Sequence, residues 1–204
     1  MSTPQKIEFQ MERDFSQVLS ITFNFIKQNF KILGKSLLFI AGPFALLSGL
    51  MSGLQTTSVF DNVSSETYTS PFGVLYFLTL LSAIVTITLI MAVAYEYIRL
   101  YIAESSESID VSMVWKSVRS HFWMYFLTGL GSYLFILLGF IALIIPGLYL
   151  TIAYSLVFIV RVIEKKSFLK ALSRSSELIR NYWWYTLLLV FIIIIILYAI
   201  RAVF

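Results

Sequence analysis

Apolar residues run through this chain in long blocks separated by short charged segments, and the blocks have the length of helices that cross a bilayer. A crossing helix must span a hydrocarbon core ~30 Å thick, which takes about 20 residues. Five spans are expected on that measure. The first covers 36–54; the second covers 72–95, beginning after Pro71 and staying uncharged through Tyr95. From Phe122 to Val160 there are 39 residues without a charge, too many for one crossing and enough for two. Pro146-Gly147 divides them, because proline is tolerated in the first turn of a helix, where its missing N–H has no partner to lose. The third and fourth spans are therefore 122–142 and 146–163, and the fifth is 182–200.

The segments ahead of the odd-numbered spans are patterned differently. In 14–31, Gln17, Ser20, Asn24, Lys27 and Lys31 recur every three or four residues, with Phe15, Val18, Leu19, Thr22, Phe25, Ile26 and Phe30 on the other face. Segment 110–120 sets Val111, Val114, Trp115 and Val118 against Lys116 and Arg119. Segment 167–180 sets Phe168, Leu172 and Ile179 against Lys170, Arg174 and Glu177, with Ser167 as the expected N-cap. A helix with cations on one face and large apolar residues on the other lies in the headgroup plane. The three segments also share a short repeat: Ile26-Lys27-Gln28-Asn29-Phe30, Val118-Arg119-Ser120-His121-Phe122 and Ile179-Arg180-Asn181-Tyr182-Trp183. The expected architecture is an all-α membrane fold in a single domain, 1–204. It has about five transmembrane helices and three cytoplasmic-side interfacial amphipathic helices preceding spans 1, 3 and 5.

Composition agrees. Of 204 residues, 59% are hydrophobic and 13% charged, with a mean hydropathy of +0.86, more apolar surface than a soluble domain of this size could bury. The absence of Cys removes disulfides, thiolate metal sites and Cys nucleophiles. The net charge of +4 does not point to nucleic acid, because position outweighs the sum. Fourteen of the fifteen Lys and Arg residues precede span one, lie between spans two and three, or lie between the inner end of span four and span five; Arg201 is the exception. The loop 55–70 holds Asp61 and Glu66 and no cation, so it and the Pro146-Gly147 turn are expected outside, and the N-terminus in the cytoplasm. Trp115, Trp123, Trp183 and Trp184 all fall on the cytoplasmic side as interfacial aromatic anchors. No cleavable signal peptide is expected. The chain stops after Ile200-Arg201-Ala202-Val203-Phe204 without a polar tail, and truncation before a sixth span is expected.

The stretch from Ile144 to Trp184 carries a specific order: Pro146-Gly147, a short span, Glu164, Ala171 with Ser175, then Trp183-Trp184. This order resembles a pattern in a group of bacterial integral membrane families. One branch is the membrane domain attached to some glycerophosphodiester phosphodiesterases, and the others are stand-alone six-span inner-membrane proteins. The opening segment 14–31, followed by a span with Pro43 inside it, also resembles the start of that pattern. The resemblance implies an all-helical fold in the bacterial inner membrane and, for most members, no known activity. The family's sixth span has no counterpart here.

Candidate chemistry is sparse. A phosphodiesterase of that family's type needs His and carboxylate clusters, and this chain has one His. His121 stands in the short repeat, where its equivalents are Asn29 and Tyr182, and reads as a headgroup-level polar residue. No P-loop, HExxH or GxSxG is present, so no enzyme, catalytic residue, metal site or cofactor is expected. Glu96 lies about 7 Å beyond the inner edge of the hydrocarbon, with Arg99 one turn further on and Arg161 and Glu164 at the matching depth, so Glu96 with Arg161 or Arg99 with Glu164 are the expected interfacial ion pairs. Gly and Pro within the spans, Pro43 among them, read as packing or kink positions. The remaining candidate site is a collar of Lys27, Lys31, Lys116, Arg119, Lys170, Arg174 and Arg180 facing anionic headgroups. The expected function is a non-catalytic scaffold or lipid-interacting membrane module. A transporter or channel component is the alternative, and a regulatory partner of a lipid or glycerophosphodiester enzyme is a third.

Overall fold

A computed structural model describes residues 14–64, 73–103 and 109–203. Every regular element among them is helical: α1 Phe15–Ser36, a π-helical turn Leu37–Ala41, α2 Gly42–Ser64, α3 Val74–Ala103, α4 Val111–Ala142, α5 Ile144–Ala153, α6 Val157–Ile163, α7 Phe168–Arg180 and α8 Trp183–Val203. Four stretches are long and apolar enough to cross a membrane, namely Phe15–Thr57, Val74–Ala103, Val111–Ala142 and Ile144–Ile163. A fifth is reached by counting Phe168–Arg180 with Trp183–Ala199, a pair bent by 94°. The described residues are thus all-helical, with four or five apolar stretches of membrane-crossing length, consistent with an all-α membrane protein.

The helices outrun the expected spans. Between Ser36 and Gly42 the chain does not break; the Gly42 N–H reaches back five residues to the Leu37 carbonyl. That shift accommodates Pro43, whose ring would collide with the Phe39 carbonyl in a regular α-helix and which offers no N–H to it. The helix also continues through 55–64, expected as loop, where Thr56 and Thr57 donate their hydroxyls to the carbonyls of Ser52 and Leu54 at 2.9 Å. Residues 65–72 of that connection and 1–13 of the N-terminus, with Lys6, Arg13 and Glu66, lie outside the described residues.

Of the three segments expected as separate surface helices, only 167–180 is separate. Segments 14–31 and 110–120 form the first turns of longer helices, since neither Lys31-Ile32-Leu33 nor Ser120-His121-Phe122 contains a residue that would stop one. Ser167 does occupy the N-cap of α7, in an extended conformation, but its side chain makes no capping bond. Asn181 and Tyr182 form the turn that separates α7 from α8.

By their internal contacts the residues fall into two units, 29–126 and the combination of 1–28 with 127–204. In the first, α3 packs against α2 and the π-helical turn, and Ile40, Ala41, Leu89, Ala92, Val93, Tyr97, Val114 and Val118 are buried. In the second, α7 packs on α5 and α6, with Ala171 and Leu172 against Val157 and Val160. The end of α4 closes on α5 through Gly139 and Gly147: a Cβ at Gly139 would sit 3.1 Å from the Gly147 Cα, an approach that larger residues would prevent.

Candidate functional site

Two groups of side chains stand out, one in each unit. In unit 29–126, Glu96 on α3 is fully buried and surrounded by donors. Its Oε2 accepts from Arg99 Nε at 2.6 Å and from the Ser117 hydroxyl at 2.7 Å, and its Oε1 accepts from the Tyr125 hydroxyl at 3.2 Å. His121 Nδ1 lies 3.0 Å from Oε1 and 3.1 Å from the Ser117 carbonyl. Both neighbours of Nδ1 are acceptors, so that nitrogen carries the proton. The Ser117 oxygen also accepts from Arg99 Nη2, which makes the serine a bridge between cation and carboxylate. A buried carboxylate needs its charge balanced and its lone pairs filled, and this arrangement does both. Glu96 was expected at an interface with Arg161 as its partner, and none of these four contacts was assigned to it from the sequence. The signal was present: Ser117, His121 and Tyr125 fall four residues apart, in one polar row along α4.

In the other unit, Arg161 on α6 reaches the Thr128 hydroxyl on α4. Glu164, just after α6, pairs with Lys166 at 2.7 Å and faces Arg174 Nε at 3.6 Å, while Arg174 Nη1 donates to Glu177 at 3.0 Å. The hydrogen bond from Lys166 and the positive charges of Lys166 and Arg174 hold the Glu164 carboxyl below its ordinary value. Glu96 and Glu164 thus both find cations within their own units. Asp110, ahead of α4, is held low in the same way, first by the Ser112 hydroxyl at 2.7 Å and then by backbone N–H groups.

The proposed collar residues divide between the units, with Lys31, Lys116 and Arg119 in one and Lys27, Lys170, Arg174 and Arg180 in the other. All are exposed except Arg174, which is half-buried. Trp115, Trp123 and Trp184 are exposed, as anchors at a membrane surface would be. Trp183 instead packs inward, stacked on Tyr149 with ring centroids 5.9 Å apart and with its indole N–H 3.4 Å from the Tyr149 carbonyl.

α5 and α6 are separated by the turn Tyr154-Ser155-Leu156, which frees backbone groups in the middle of an apolar stretch. Ser175, fully buried on α7, takes two of them: its hydroxyl donates to the Ala153 carbonyl at 2.6 Å and accepts from the Leu156 N–H at 3.3 Å. Searches for a matching family model, a similar curated protein or a similar solved structure return no match.

Proposed function

We propose that this is a non-catalytic integral membrane protein whose α7 lies in the headgroup plane of the bacterial inner membrane, on the cytoplasmic side, and binds anionic lipid. The observation that carries this reading is the 94° bend between Phe168–Arg180 and Trp183–Ala199. If the second of these crosses the bilayer, the first runs along it. α7 turns Ala171, Leu172, Ser175 and Ile179 inward and leaves Lys170, Ser173, Glu177 and Arg180 exposed, as a surface-lying helix requires.

The other cations of the collar suit the same reading. Phe15–Thr57 spans 43 residues, about 64 Å at 1.5 Å per residue, roughly twice a ~30 Å hydrocarbon core. The turns that carry Lys27 and Lys31 therefore stand beyond the hydrocarbon, where positive charge meets headgroups. A relation to the membrane domain of glycerophosphodiester phosphodiesterases belongs with this proposal. Supporting it, five residues of the shared pattern have structural contacts here: Gly147 closes α5 on α4, Glu164 holds Lys166, Ala171 and Ser175 face α5 and α6, and Trp183 stacks on Tyr149.

The test is lipid selectivity in mixed bilayers of phosphatidylglycerol and phosphatidylcholine. Each surface cation contributes about 1 kcal/mol, so Lys170→Gln with Arg180→Gln lowers preference for the anionic lipid by about fivefold per cation removed. Unchanged selectivity contradicts the reading.

A further inference from the structure

We propose that the α4–α5 hairpin enters the bilayer from the side on which α7 lies and turns within the hydrocarbon, as a wedge among the acyl chains of one leaflet, instead of making two full crossings. The inference rests on the headgroup position of α7 and goes beyond it.

The turn itself is the first observation. From Leu134 to Leu148 the chain has no polar side chain at all, and the hinge between α4 and α5 is Leu143, held extended at φ −166° and ψ 156°. Leu143, Ile144 and Ile145 are 68%, 75% and 81% exposed. A turn reaching the far aqueous phase would present these three aliphatic side chains to water, which apolar hydration opposes. The turns at 164–167 and 181–182 are made of Glu, Lys, Lys and Ser and of Asn and Tyr.

The second observation is the level at which α7 meets the hairpin. Phe168 packs beside Phe135, at a ring separation of 6.2 Å, and over Gly131, where a Cβ would collide with its ring. Ser175 meets the Ala153 carbonyl. Gly131, Phe135 and Ala153 stand 12, 8 and 10 residues from Leu143, so residues 168–175 cross the hairpin about 12–18 Å from its turn. Lys170, Ser173, Glu177 and Arg180 on that helix are exposed, and lipid-facing charges do not sit in hydrocarbon. With α7 among the headgroups, the turn lies near the midplane of a ~30 Å core. With the turn at the far surface, the charged face of α7 would lie near the midplane.

The chain has no native Cys, so single nitroxide labels can be placed without background. The full chain is reconstituted in liposomes with a label at Ile144→Cys, with Ile145→Cys as a second exposed site, and at Ser173→Cys. Relaxation by molecular oxygen, which partitions into hydrocarbon, is compared with relaxation by the water-soluble complex Ni(II)-EDDA. The expected result is loss of Ni(II)-EDDA relaxation with strong oxygen relaxation at 144 and 145, and the reverse at 173. If 144, 145 and 173 are all relaxed by Ni(II)-EDDA, the hairpin crosses and the inference is overturned while the headgroup position of α7 stands. If 173 is shielded from Ni(II)-EDDA, the proposed position of α7 is overturned, and this inference with it.

Discussion

Ser175 and Ala153 are joined by a 2.6 Å hydrogen bond in which a hydroxyl on α7 satisfies the carbonyl freed at the end of α5. The same oxygen accepts from the Leu156 N–H, so one buried side chain closes the break between α5 and α6. Ser155, inside that break, and Ser132 on α4 have buried hydroxyls without a hydrogen-bond partner among the described residues.

This contrast gives the first expected outcome. Ser175→Ala leaves two buried backbone groups unpaired and destabilises by about 1–3 kcal/mol, whereas Ser155→Ala and Ser132→Ala remove unpartnered hydroxyls and are neutral or slightly stabilising. Thermal unfolding in detergent checks the ordering. Equal losses from all three would contradict it. The break therefore reads as a filled structural joint, in contrast to the open carbonyls with which transporters hold substrates.

The Glu96 cluster gives the second. Glu96→Ala leaves Arg99, Ser117 and Tyr125 without their shared acceptor and is expected to cost about 3–5 kcal/mol, as the loss of one partner from a buried pair does. Tyr125→Phe deletes one long bond of 3.2 Å and costs about 1 kcal/mol. A denaturant titration that finds the two variants alike would show that the carboxylate does not organise this group.

Acid should loosen the α6–α7 turn. Glu164 is held below its ordinary value by Lys166 and Arg174, so its contribution is present at pH above about 4.5, the value of a free Glu, and is lost as the pH falls through the lower, folded value. Protection of the amides at 164–168, corrected for the intrinsic pH dependence of exchange, is expected to fall below that pH in the wild type, and Glu164→Gln to abolish that fall. An unchanged profile in the variant would assign the effect to another group.

Small residues mark where elements approach. A Cβ at Gly131 would lie 2.5 Å from the Phe168 ring, and one at Gly147 would overlap the Phe140 ring. Gly131→Ala must push Phe168 aside, and is expected to cost about 1–3 kcal/mol of overpacking strain. Pairing it with Phe168→Ala should recover part of that loss by making room. Additive losses would show that the two residues do not share the space.

Much of the architecture was legible because the hydrophobic blocks are long and nearly free of charge. The hinge at Leu143, with Pro146 in the first turn of α5, follows the rule that proline starts helices, and the separate α7 follows from its amphipathic period and the Asn181-Tyr182 stop. Helix ends beyond the apolar blocks were hidden, because hydropathy reports lipid exposure while helicity continues wherever hydroxyls such as those of Thr56 and Thr57 can bond back to the backbone. The Ala153 to Leu156 break was hidden for a different reason. No Pro or Gly marks it, and it is held by a serine nineteen residues further along, a tertiary contact that local pattern does not encode. Glu96 was singled out as an ionisable residue near a span, yet its partners Ser117, His121 and Tyr125 became visible only once α3 and α4 were placed together.

The orientation of α7 relative to the bilayer decides most of these points. Labels at 170, 173, 177 and 180 sample its exposed face, and labels at 184, 188, 191 and 195 sample exposed positions along α8. Depth measured by lipid-borne quenchers should stay constant at headgroup level through the first set and change steadily, by about 1.5 Å per residue, through the second. A steady change of depth along 170–180 would mean that this helix enters the bilayer, and lipid binding by its cations could not stand.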